Sequence, residues 1–165
     1  MPRAARLRAF VFDLALLAGL QAATATVAVL VFLVQSGGGE RDLTSSAATT
    51  GWAIALAAVP AWLGLLGQGY AAHDGTPGQH RAGLAVEGTP LRRLVRLALH
   101  PFGMLGWGWL ALVSGLAALT GLALLFASAA VIVALGGLAS GAIVLARPGS
   151  LPLHDRIAGT RLVVR

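Results

Sequence analysis

The fifty residues between Arg96 and Arg147 carry no formal charge. Wound as one helix they would run ~75 Å, against about 30 Å of hydrocarbon in a bilayer, so a single crossing cannot use them. Two spans joined by a tight turn do. The midpoint falls at Thr120 and Gly121, which predicts helices at about 101–119 and 123–146. Gly137 and Gly141 are spaced as GxxxG, and Gly103, Gly106 and Gly108 cluster in the same way. Such spacing lets helices approach closely, although a chain with 22 glycines also produces it by chance.

The rest of the chain keeps the same character. With 57% hydrophobic and 11% charged residues and a mean hydropathy of +0.81, it lies far from soluble domains, where about a quarter of residues are charged. A first span is expected at 9–34. Its Arg3, Arg6 and Arg8 followed by Ala23-Thr24-Ala25 resemble a signal peptide with its cleavage site, but the apolar run continues through VAVLVFLV, too long for a signal core. A second span is expected at 48–70, with Trp52 and Tyr70 as interfacial anchors ~27 Å apart and a kink at Pro60. The connector 36–50 is a Gly/Ser/Thr loop. The loop 71–100 is polar until LRRLVRLAL, whose Arg92, Arg93 and Arg96 share one helical face and whose leucines share the other, the pattern of a helix lying on a lipid surface. The tail 147–165 is too polar and short to cross again.

The expected fold is therefore an all-α integral membrane bundle, one domain with four transmembrane helices. Four spans put eleven of the twelve arginines on one side, with only Arg41 opposite. The positive-inside rule makes that side, with both termini, cytoplasmic.

Several function classes fall away. The net charge of +6 belongs to arginines that flank apolar runs, not to a basic patch between aromatics, so nucleic acid is not an expected partner. The chain has no cysteine, which excludes disulfides, thiolate metal sites and a cysteine nucleophile. His73-Asp74 and His154-Asp155 are adjacent pairs without metal-ligand spacing. Neither GxSxG nor GxxxxGK[ST] occurs. No enzyme activity, metal or cofactor is expected.

Asp13 stands out. It is a carboxylate inside the first apolar run, seven residues and so within roughly 20° of Arg6 on the same helix face. Fourteen Leu, Val or Phe residues between Phe10 and Val34 outweigh its insertion cost of about 2.5–3.5 kcal/mol at mid-bilayer. An intramembrane carboxylate is a functional-site candidate that needs a partner or a proton. Arg6, Arg81, Arg156 and Arg161 all qualify as that partner, and a cytoplasmic-face cluster of Asp13, Asp155, several arginines and His154 is expected. Gln21, Thr24 and Gln68, at or within the spans, are expected to bond to neighbouring helices.

Three stretches, RLRAFVFD at residues 6–13, DGTPGQHRAGLAV at 74–86 and LHDRIAGTRLV at 153–163, together resemble the RDD family of bacterial multi-pass membrane proteins. Matched residue by residue, the resemblance puts Arg6 at the family's arginine, with Arg8 as its rival, Asp13 at the first-helix aspartate and Asp155 at the tail aspartate. Gly75, Thr76, Gly78 and Gly83-Leu84 match the loop pattern, which usually has lysine where this chain has Gln79; Arg81 would then have to supply that charge. The resemblance implies a bacterial inner-membrane protein, with cation/proton exchange suggested for some members. Two functions remain open: a structural or partner-binding membrane module whose basic face meets anionic headgroups, or a small secondary transporter that uses Asp13. Its partners would be the bilayer, a second copy or another membrane protein.

Overall fold

The computed structural model describes residues 3–147 and 150–164. Arg165 and the Arg3 side chain, both counted in the arginine bias, lie outside the described residues. The first apolar run forms one helix, α1 (Arg3–Gln35), with Val11, Val29, Leu30 and Val34 exposed along it. The next run forms α2 (Ser45–Leu56) and α3 (Ala58–Ala72). The break between them falls at Ala57, one turn before Pro60, because a proline ring clashes with the carbonyl four residues earlier and has no N–H to offer it. That carbonyl belongs to Leu56 and instead accepts the Trp109 indole N–H at 3.1 Å. Its neighbour, the Ala55 carbonyl, accepts Gln21 Nε2 at 3.2 Å and Thr24 Oγ1 at 3.5 Å. Polar side chains of the apolar helices thus satisfy the backbone that the proline sets free.

All but the first four of the charge-free fifty residues fold as the hairpin α6 (Pro101–Leu116) and α7 (Thr120–Ala146). The turn is Ala117–Leu119, with Ala118 at φ +59°, just upstream of the expected midpoint. Before the hairpin, α5 (Pro90–Leu99) meets α6 at 74°. The break is written as His100-Pro101: a residue before proline avoids the helical region. His100 is extended, and its imidazole Nδ1 caps α6 by accepting the Phe102 N–H at 3.3 Å. At Gly103 any Cβ would collide with the Leu97 and Ala98 carbonyls, so the bend requires glycine.

Three helical stretches, 4–35, 45–72 and 120–144, are long and apolar enough to cross a membrane, and the bent pair α5/α6 makes a fourth if it counts as one crossing. The fold departs from all-α in one place. β1 (Leu84–Glu87) and β2 (Arg161–Val164) form a two-stranded antiparallel sheet, with Leu84 opposite Val164 and Glu87 opposite Arg161. Two short helices flank it, α4 (Pro77–Arg81) and α8 (Leu153–Ala158). Loop and tail, expected to be irregular, are therefore folded against each other. Leu84 buries against Ala5 and Ala9 of α1, which gathers the N-terminus, the loop and the tail at one end of the bundle.

Trp62, Leu66, Tyr70, Val86, Leu97 and Phe102 form the main core next to that end. Tyr70 does not anchor an interface as the sequence suggests: it is wholly buried, while Trp52 is exposed. The basic face of α5 departs from the expectation at Arg96, while Arg92 stays exposed. Arg96 is 2% exposed, whereas Leu91, Leu94 and Val95 face outward, so Arg96 points into the protein and the leucines away from it.

Candidate functional site

At the end where α1, loop and tail meet, two carboxylates are buried, Asp13 at 2% and Asp155 at 1% exposure. Asp13 is held by α4. Thr76 Oγ1 donates to Asp13 Oδ2 at 2.5 Å and the Gly78 amide donates to Oδ1 at 2.7 Å. The sequence Thr76-Pro77-Gly78-Gln79 makes this possible one residue at a time. Thr76 is the N-cap, extended at φ −73°. Pro77 occupies the first helical position, where a missing N–H costs nothing. Gly78 lies so close to α1 that a Cβ would strike the Ala9 carbonyl and come within 2.8 Å of the Asp13 carboxyl. Gln79 closes a capping box: its side chain accepts the Thr76 N–H at 3.1 Å while its own N–H donates to Thr76 Oγ1 at 3.1 Å.

Asp155 is held by α5 and its own C-terminal flank. Arg96 Nε donates to Asp155 Oδ1 in a buried ion pair, and Thr160 Oγ1 donates to the same oxygen at 3.1 Å. The Arg96 Nη1 donates to the Tyr70 hydroxyl. Two buried polar groups result, Asp13 with Thr76 and Gln79 and Asp155 with Arg96 and Tyr70. Beside the second, Arg93 pairs with Asp74 and donates to the Tyr70 carbonyl at 3.3 Å.

Both carboxylates line a cavity of about 310 Å³ with Arg6, Arg96, His100 and His154. The rings of His100 and His154 meet edge to face at 5.0 Å. Burial, then the charges of Arg96 and Arg6, push the His154 imidazole down to about 4, with Asp155 opposing them. His154 is therefore neutral at pH 7, and its Nε2, 3.9 Å from Asp155 Oδ1, brings no charge to the carboxylate. Arg96 is the cation of Asp155. Asp155 Oδ2 and His154 Nδ1 are buried without a hydrogen-bond partner among the described residues.

Of the residues singled out in the sequence, Arg6, Asp13 and Asp155 meet at this cavity. Arg81 does not join them. Its guanidinium sits 4.9 Å above the Phe12 ring on the outer face of α1. Arg156 and Arg161 are exposed, and Arg161 stands opposite Glu87 in the sheet. The donors seen on Asp13 are neutral, the Thr76 hydroxyl and the Gly78 amide. Tyr70, Thr76, Gln79 and Arg96 went unrecognised as site residues. The first three left a signal in the capping-box spacing Thr76-x-x-Gln79 and in the lone tyrosine, whereas Arg96 was hidden among the arginines of α5. Among the described residues no three His, Asp or Glu side chains converge as metal ligands. Compared with models of known protein families, with curated proteins and with solved structures, the chain matches none.

Proposed function

We propose that this chain is a four-span membrane module similar to the RDD family, set in a bacterial inner membrane with its N-terminus, the 71–100 loop and the tail on the cytoplasmic side. The arginine bias supports this orientation. The α5/α6 pair counts as one span: the 16 residues of α6 reach ~24 Å, and α5 lies along the interface with its leucines toward lipid. The function is structural or partner-binding. The contacts of Asp13 with the loop and of Asp155 with Arg96 lock three chain segments into one cytoplasmic platform, which a second copy or another membrane protein can use.

One observation carries this reading. Each aspartate is tied to another segment, Asp13 of α1 to the loop through Thr76 and Gly78, and Asp155 of the tail to α5 through Arg96. One fixed donor engages each oxygen of Asp13, so a cation would have to share the carboxylate with both. A second reading, monovalent cation/proton exchange through Asp13, draws support from the cavity that both carboxylates line. Proteoliposomes with an imposed pH gradient separate the two. The lock gives no sodium- or potassium-dependent proton movement; flux that Asp13→Asn abolishes, with insertion unchanged, replaces the lock with the transporter.

A further inference from the structure

Outside these contacts, α1 and α4 frame a second hollow, an open groove of about 640 Å³. Its α1 wall is one helical face, Arg8, Val11, Phe12 and Ala15, with Leu7 at the rim; Arg81 closes the α4 side. Leu7 is 63% and Val11 54% exposed. Among the described residues Arg8 and Arg81 make no hydrogen bond or ion pair, and the Arg81 guanidinium sits over the Phe12 ring. Among the described residues no acidic side chain lines the groove.

We propose that this groove seats one anionic phospholipid, its phosphodiester between Arg8 and Arg81 and an acyl chain along Val11 and Ala15. The proposal rests on the membrane reading above. Three features of the groove match that occupant. From Arg8 to Ala15 the wall runs ~10.5 Å along α1, from a cation at the end of the helix to uncharged side chains deeper in the apolar run, the order of headgroup and chain in a leaflet. Guanidinium is suited to phosphate oxygens, and two of them line this groove. Two arginines without a carboxylate beside them favour a lipid of net negative charge, because the ammonium of a zwitterionic headgroup would meet like charge. Arg8 and Arg81 thereby receive a role that the buried polar groups do not give them.

The test uses the full chain in mild detergent, offered equal amounts of phosphatidylglycerol and phosphatidylcholine with matched chains, and reads bound lipid by native mass spectrometry. An arginine near an anionic surface favours binding about fivefold, so two give a preference of about 25-fold for phosphatidylglycerol. Arg8→Gln with Arg81→Gln should reduce it to about twofold or less. Val11→Trp, which fills the groove floor and leaves both charges, should also lower phosphatidylglycerol retention, whereas Arg41→Gln should not. Equal retention of the two lipids, or a preference that survives the double substitution, overturns the site. Carbonate extraction of membranes reads insertion separately: a chain washed off the membrane overturns the membrane reading and the site with it, while an inserted chain without lipid preference overturns the site alone.

Discussion

Replacing Asp155 with asparagine should be among the most damaging single-atom changes available in this protein. Asp155 is 1% exposed, and its Oδ1 receives both Arg96 and Thr160. The amide keeps the shape of the carboxylate and loses its charge, leaving the 2%-exposed Arg96 guanidinium with the Tyr70 hydroxyl and no anion. Breaking one side of a buried pair costs about 3–5 kcal/mol. For a chain of this size each kcal/mol moves the melting temperature about 2–4 °C, so a loss of about 6–20 °C is expected in detergent, read by circular dichroism. Asp13→Asn should lose less, about 1–3 kcal/mol. Its donors are neutral, the amide oxygen still accepts the Gly78 N–H, and the Thr76 hydroxyl can turn to accept the new amide. Asp42→Asn, in the exposed connector, should shift melting by no more than about 2 °C. Removing both charges, Arg96→Met with Asp155→Leu, should recover most of the loss, since well-packed apolar pairs replace buried ion pairs without penalty. Asp155→Asn melting within about 2 °C of wild type, or a double variant worse than the single one, would refute this reasoning.

Three further outcomes follow from other contacts. Gly78→Ala forces a methyl group into the Ala9 carbonyl and the Asp13 carboxyl; it should cost about 1–3 kcal/mol and speed tryptic cleavage after Arg81 as α4 lifts from α1. Trp109→Phe leaves the Leu56 carbonyl unpartnered at the α2/α3 break, a loss of about 1–3 kcal/mol that Pro60→Ala should restore by supplying the missing N–H, both read as melting temperature. His154, held near 4 in the fold against 6.5 when free, stays neutral while the unfolded chain takes up a proton between those values. Its stabilising contribution is therefore full above pH 6.5 and falls as the pH drops toward 4, by about 2 kcal/mol at pH 5. Wild type should lose about 4–8 °C more than His154→Gln between pH 7.5 and pH 5.

The apolar elements could be read from the sequence because their signal is length and absence of charge. Helix ends in the α6/α7 hairpin fell within a few residues of expectation, and α5 was recognised as a separate amphipathic helix. Which way α5 faces could not be read. A basic stripe beside a membrane span suits headgroups equally well or a buried carboxylate, and only the tail, some sixty residues on, decides that Arg96 turns inward toward Asp155. Tyr70 misled for the same reason: position near a span end suggests an interface, while its hydroxyl is committed to Arg96. The sheet was missed because LAVE and RLVV are four-residue strands, too short for alternation to register before their pairing is known. Asp13 was singled out by its cost in an apolar helix, and its burial agrees with that cost. Its charge points to cationic partners, yet a helix-capping threonine and a glycine amide serve it.

The central claim is that loop and tail form one platform held shut by the buried contacts of Asp13 and Asp155. A disulfide probe tests it most directly, because the native chain has no cysteine and Ala85 stands opposite Val163 in the sheet. Ala85→Cys with Val163→Cys should cross-link rapidly under mild oxidation in native membranes, and adding Asp155→Asn should slow the reaction several-fold as the tail comes loose. Absence of the cross-link in the otherwise native chain, or an equal rate with and without Asp155→Asn, would contradict the lock.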